Sequence, residues 1–188
     1  DLTVDRTTDG TGLVRELTLA ELHTLDAGAW RGEVFRGERV PTLAEVLAAV
    51  PLAVNVVLKP CNDDGLEARA LAVVEAAGGL DRVVFSSFDA RALERLRACS
   101  VRATLAVLWE KARIPEAVRR AERVAARALH LRKETATPPA LAAAAVAGLL
   151  VRVWTVNASA DFDQLAAAGV DGVFTDFPER FLHPATPK

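Results

Sequence analysis

From Leu52 onward, six short apolar runs alternate one-for-one with segments of helical pattern, and this alternation restricts the fold more than any other feature. The runs are Leu52–Leu58, Arg82–Ser87, Ala103–Trp109, Arg127–Leu131, Leu149–Val156 and Val170–Thr175. Strands this apolar are covered on both faces, as in parallel sheets, and a parallel pair needs a crossover that a helix supplies. The intervening helices are predicted over Gly65–Ala77, Asp89–Cys99, Pro115–Ala126, Pro138–Ala147 and Ser159–Ala168. Asp89 is a candidate cap, Pro115 sits in a first turn, and Gly78-Gly79, Gly148 and Gly169 stand where helices stop.

Two architectures carry such a pattern. An open doubly wound sheet declares a glycine-rich phosphate loop after its first strand, and none is present. A TIM (β/α)8 barrel takes about 250 residues, roughly 60 more than this chain. The expectation is an α/β fold: a TIM-type barrel, incomplete at its N-terminus, forming a single domain over residues 1–188 that lacks the first strands. The first residue is Asp1 rather than Met, and Asp1–Gly12 has no signal-peptide pattern, so the chain reads as beginning inside a longer protein. A barrel without its first strands leaves two unpaired edges, which predicts self-association.

Ahead of the first strand the pattern is weaker. Asp1–Gly12 is a Thr-rich loop with an Asp9-Gly10 turn signal. Thr18 with Glu21, and Thr42 with Glu45, have capping-box spacing and predict short helices over Thr18–Leu25 and from Thr42 to about Val50.

A formal net charge of −2 with no long basic run argues against a nucleic-acid surface or a polybasic membrane surface. No apolar stretch is long enough to cross a membrane as a helix. Cys61 and Cys99 do not make a disulfide framework, read as free thiols and leave the compartment open.

Six segments are distinctive as strings: Asp1-Leu-Thr-Val-Asp-Arg-Thr-Thr-Asp-Gly-Thr-Gly12, Val40-Pro-Thr-Leu43, Asn55-Val-Val-Leu-Lys-Pro60, Phe85-Ser-Ser-Phe88, Val153-Trp-Thr-Val-Asn157 and Gly169-Val-Asp-Gly-Val-Phe-Thr-Asp-Phe-Pro178. In this order and spacing the chain resembles the glycerophosphodiester phosphodiesterase family, from Asp1 to about Leu182. The resemblance implies a TIM-barrel hydrolase that uses a divalent metal, Mg²⁺ or Ca²⁺, to cleave a small-molecule glycerophosphodiester into glycerol 3-phosphate and an alcohol. It further implies two catalytic histidines, a His-Arg pair, a Glu-x-Asp and a Glu-x-Lys.

The carry-over is partial. Asp1 matches the Asp of a His-Asp pair, so that His, the His-Arg pair and the Glu-x-Asp would fall before residue 1. Lys59 matches the Lys of Glu-x-Lys, and Val57 stands where its Glu would be. Trp154 matches the tryptophan that lines the substrate pocket. The resemblance therefore nominates Lys59 as the catalytic residue and Trp154 as the substrate-binding residue, with no metal ligand.

Chemistry supports both nominations. The chain has only four lysines against 19 arginines, and Lys59 directly follows an apolar run. In a barrel the C-terminal strand ends form the active face, where an ammonium can neutralise a phosphoryl oxygen. An indole face can pack on glycerol carbons or hold a quaternary ammonium headgroup. Ser86, Ser87 and Asn157 could donate to phosphate or serve turn chemistry. His130, near a strand end, could reach the mouth, whereas His23 and His183 lie on a peripheral helix and in the tail. Asp5, Asp9, Asp63 and Asp64 read as solvated loop acids, and no His or Cys spacing suggests zinc. The alternative to the enzyme is a non-catalytic barrel retained for binding or structure, and Val57 favours it.

Overall fold

The computed structural model describes residues 1–60 and 65–181. The chain divides into two compact units. One comprises Asp1–Leu52 with Ala72–Gly79, and the other comprises Ala53–Leu71 with the described residues from Leu80 onward.

In the first unit, the Thr-rich segment folds back on itself through an antiparallel bridge between Thr3 and Leu13. Helices α1 (Leu19–Leu22) and α2 (Leu43–Ala49) start where the capping boxes place them. Glu21 N–H donates to Thr18 Oγ1 at 3.2 Å, and Thr18 N–H donates to Glu21 Oε2 at 2.7 Å. Thr42 and Glu45 repeat the arrangement at 3.2 and 2.7 Å. Between the helices, Ala27 N–H reaches Glu38 O at 2.7 Å and closes a loop around the Asp26 carboxylate. That carboxylate accepts the N–H groups of Ala29, Gly28 and Gly37, which hold its pKa below the ordinary value. Gly28 has no alternative here: a Cβ on it would lie 1.7 Å from Phe35 O.

The second unit is built on a parallel sheet: β1 (Val54–Val57), β2 (Val83–Ser87), β3 (Thr104–Trp109), β4 (Ala128–Arg132), β5 (Leu150–Trp154) and β6 (Gly172–Val173). Their spatial order is their sequence order, and every neighbouring pair is parallel. A doubly wound sheet reverses its winding at a switch point; this one never does, which is the winding of a (β/α) barrel. Helices α3 (Leu66–Ala76, whose residues from Ala72 are counted with the first unit), α4 (Ala90–Cys99), α5 (Ile114–Arg123), α6 (Pro138–Val146) and α7 (Ser159–Ala167) lie in the crossovers along the chain. Each begins and ends within a few residues of its sequence-based bounds. Asp89 caps α4 by accepting Arg91 N–H at 2.9 Å, as its position predicts.

Strand alternation sorts the side chains onto two faces. Phe85, Leu105, Val107, Trp109, Leu129, Leu131, Val151 and Val153 are all buried and make up one face. This is the helix side: Val107 shares a small cavity with Leu93 of α4, and the Trp109 ring lies 4.9 Å beneath the Arg120 guanidinium of α5. The opposite face carries Ser86, Ala106, Ala128, His130, Arg152 and Trp154, linked by the registers Ser86–Ala106–Ala128 and Leu108–His130–Arg152–Gly172. In a barrel this is the lumen side.

Candidate active site

The C-terminal ends of β1, β2 and β5 carry Lys59, Phe88 and Trp154. Beyond β1 the ladder continues through Leu58, whose N–H donates to Ser86 O at 2.8 Å. Leu58 is buried, and its carbonyl accepts the Ser87 hydroxyl at 2.7 Å. Lys59 follows, exposed, at the strand mouth. By alternation it shares the side of Val57, the lumen side.

Trp154 ends β5 on the same side. Its Nε1–H donates to His130 O at 3.0 Å, so the indole lies against β4. The Phe88 ring, just past β2, meets it edge-on at a centroid distance of 5.7 Å. The Trp154–Thr155 peptide is cis. An ammonium and two half-exposed aromatic rings thus stand at the ends of three strands, a set suited to a ligand with an anionic centre and apolar carbons.

The other candidates separate. His130 does not reach the mouth: it lies within β4, only 1% exposed, against Phe174 at 4.9 Å. Burial, aided by the Arg152 charge, pushes its pKa down to about 4, so it is a neutral lumen residue. A strand end estimated from an apolar run cannot distinguish a residue just inside the sheet from one just outside it. Ser87 is committed to Leu58 O, and its Oγ also accepts Asp89 N–H at 3.0 Å. Ser86 is fully buried, and its Oγ has no partner among the described residues. Asn157 has both ends of its carboxamide engaged with Thr175 and Asp176. Asp5 accepts Gly12 N–H and Asp9 accepts Asp26 N–H, which makes both of them loop organisers. Cys99 is an exposed free thiol; Cys61, Asp63, Asp64 and His183 lie outside the described residues. Sequence reasoning missed Phe88 and Arg152. The signal for Arg152 was available, because it stands two residues before Trp154 in one strand and must share its face.

Residues 1–180 match the glycerophosphoryl diester phosphodiesterase family. The chain belongs to that family. Among its relatives, a glycerophosphodiester phosphodiesterase from Caldanaerobacter subterraneus subsp. tengcongensis is 32% identical over 192 residues, covering 97% of this chain and 77% of the relative. A glycerophosphodiester phosphodiesterase from Bacillus subtilis is 28% identical, covering 96% of this chain and 69% of its own length. Among solved structures, a phosphodiesterase from Oleispira antarctica in complex with the product sn-glycerol-3-phosphate superposes with a TM-score of 0.87 at 32% identity, covering 96% of this chain and 75% of that one. The glycerophosphodiester phosphodiesterase of Agrobacterium tumefaciens gives 0.76 at 26% identity, covering 96% and 78%.

Membership fixes the TIM-barrel class, so the β1–β6 sheet is the barrel-type sheet that its winding indicates. It also fixes the family-level activity, hydrolysis of glycerophosphodiesters by a phosphoric diester hydrolase. The family is divalent-metal-dependent, and the described residues do not fit that ion. They contain no group of three or more His, Cys, Asp or Glu side chains able to hold a metal, and Val57 offers only an alkyl surface.

Proposed function

We propose that this chain serves glycerophosphodiester hydrolysis to glycerol 3-phosphate and an alcohol, with Lys59 and Trp154 as its contribution to the site. The observation that supports the reading is that both residues lie at C-terminal strand ends, of β1 and β5, and by strand alternation on the same face of the sheet. The Lys59 ammonium would neutralise phosphoryl oxygens as charge builds on them in the transition state. The Trp154 indole, buttressed by Phe88, would pack on the glycerol carbons or on the departing headgroup. The product held by the Oleispira relative supports the substrate class. No step is assigned to a metal, because the described residues do not furnish its ligands.

The test is release of glycerol 3-phosphate from glycerophosphocholine by the native protein, with and without Mg²⁺ or Ca²⁺. Metal-dependent release that falls on Lys59→Ala supports the reading, and release indifferent to Lys59 removes that residue from it. A second reading, binding without turnover, is favoured by the apolar Val57. It predicts that glycerol 3-phosphate binds while no diester is cleaved under any metal.

A further inference from the structure

Asn157 is where the exits of the last two strands meet. Its Oδ1 accepts the Asp176 N–H at 3.0 Å and the Thr175 hydroxyl at 3.1 Å. Its Nδ2 donates to Asp176 Oδ2 at 2.9 Å, and its carbonyl accepts from Arg180 Nη1 at 3.1 Å. Thr175 Oγ1 in turn accepts Phe177 N–H at 3.1 Å, and one residue before Asn157 the Val156 N–H bonds Phe174 O at 2.9 Å. Three residues upstream, the Trp154 indole is tied to His130 O. The indole is therefore fixed from two directions: β4 holds the ring, and the segment after β6 holds the chain that leaves it.

We propose that Asn157 is a positioning residue that sets the Trp154 wall, rather than a donor to phosphate. The inference rests on Trp154 being the substrate wall. The chemistry explains why an amide is needed. Asp176 presents an N–H and a carboxylate from one residue, and a carboxamide answers with an acceptor and a donor in one plane. An apolar side chain would remove both of these bonds. A carboxylate would put two like charges within hydrogen-bond distance.

The native full-length protein carrying 5-fluorotryptophan reports this directly. Resonances from Trp30, Trp109 and Trp154 are read by 19F NMR, with Trp154 assigned by W154F. In N157A the Trp154 line shifts and broadens while the Trp30 and Trp109 lines stay, and the Kd for glycerol 3-phosphate, read from the same line, weakens about 10-fold. In N157D the line is displaced as well, because a carboxylate cannot replace the Nδ2 donor to Asp176. A Trp154 line unmoved in N157A overturns the proposal, and so do three lines moving together, since that is general loosening. If glycerol 3-phosphate shifts no Trp154 line in the wild type, the wall reading fails instead, and the N157A spectrum still decides whether Asn157 positions the indole.

Discussion

Arg152 Nη1 lies 3.5 Å from His130 Nε2, across neighbouring strands on the lumen face. A guanidinium can only donate, so in this contact Nε2 is the acceptor. A proton on Nε2 would break this contact and put a buried positive charge beside the half-buried Arg152 guanidinium.

Burial of His130, aided by the Arg152 charge, makes stability depend on pH. The His130 pKa falls from 6.5 to about 4 on folding, so between those values the unfolded chain binds a proton that the folded chain refuses. Stability from this group is complete above pH 6.5 and is lost as pH falls toward 4, by about 3 kcal/mol in all. Urea midpoints measured across this window check it. The decline is expected to be steep in the wild type and mostly absent in His130→Gln, and equal slopes would refute the assignment.

On the roles proposed for them, Lys59 and Trp154 are expected to fail differently. Lys59→Ala removes a charge whose value grows as the phosphoryl oxygens become more negative, so kcat falls by about 10²–10³ with a smaller change in KM. Trp154→Ala removes a wall that touches substrate and transition state alike, so KM rises and kcat changes less. Steady-state kinetics of the native protein on glycerophosphocholine separates the two. The same split in both variants would mean that one of the roles is misassigned.

Much of this arrangement is legible in the sequence because it is locally encoded. The capping boxes at Thr18 and Thr42, the Asp89 cap and the glycines after α6 and α7 act over three or four residues, and the structure realises them. What is not legible depends on residues distant in sequence. Asn157 looks like turn chemistry until β6 brings Thr175 and Asp176 to it. Arg97 reads as one more arginine on an amphipathic helix, yet its partners come from two separate loops. The fully apolar strands also hide which side faces the lumen, because a run buried on both faces has no polar alternation to mark one. His130 falls into that gap.

Val57, which the sequence resemblance aligns with the family's Glu, is partly exposed at the end of β1. A carboxylate there would have room and water, and a hard cation prefers such oxygens. In the native protein, Val57→Glu is expected to tighten Mg²⁺ or Ca²⁺ binding about 10-fold or more and to raise glycerol 3-phosphate release. Calorimetric metal titration alongside the activity assay checks both. If neither changes, Val57 is not the missing ligand position.

Arg97 closes the lower rim of α4. Its guanidinium donates to the carbonyls of Val124, Ser100, Val101, Ala103 and Ala125 at 2.6–3.2 Å. Ala125 itself is held at φ +47°, the left-handed region usually left to glycine. No lysine can span five carbonyls in a planar fork. Arg97→Lys is expected to cost about 1–3 kcal/mol and Arg97→Ala about 2–4 kcal/mol, read from denaturant unfolding. A loss under 0.5 kcal/mol, roughly that of an ordinary surface change, would show that water replaces the fork.

The sheet has two ends. Among the described residues β1 pairs only with β2, and β6 only with β5. Unpaired N–H and C=O groups flanked by valines are a template for another strand. The 188-residue chain by itself is therefore expected to self-associate, with a light-scattering mass that climbs above 20.1 kDa as concentration rises. Gly172→Glu should reduce this. A Cβ at Gly172 makes only ordinary contact with the Arg152 stem, so a side chain can start there, and a glutamate would add a charge to β6. A monodisperse 20.1 kDa species at every concentration would mean that neither strand end is available for pairing.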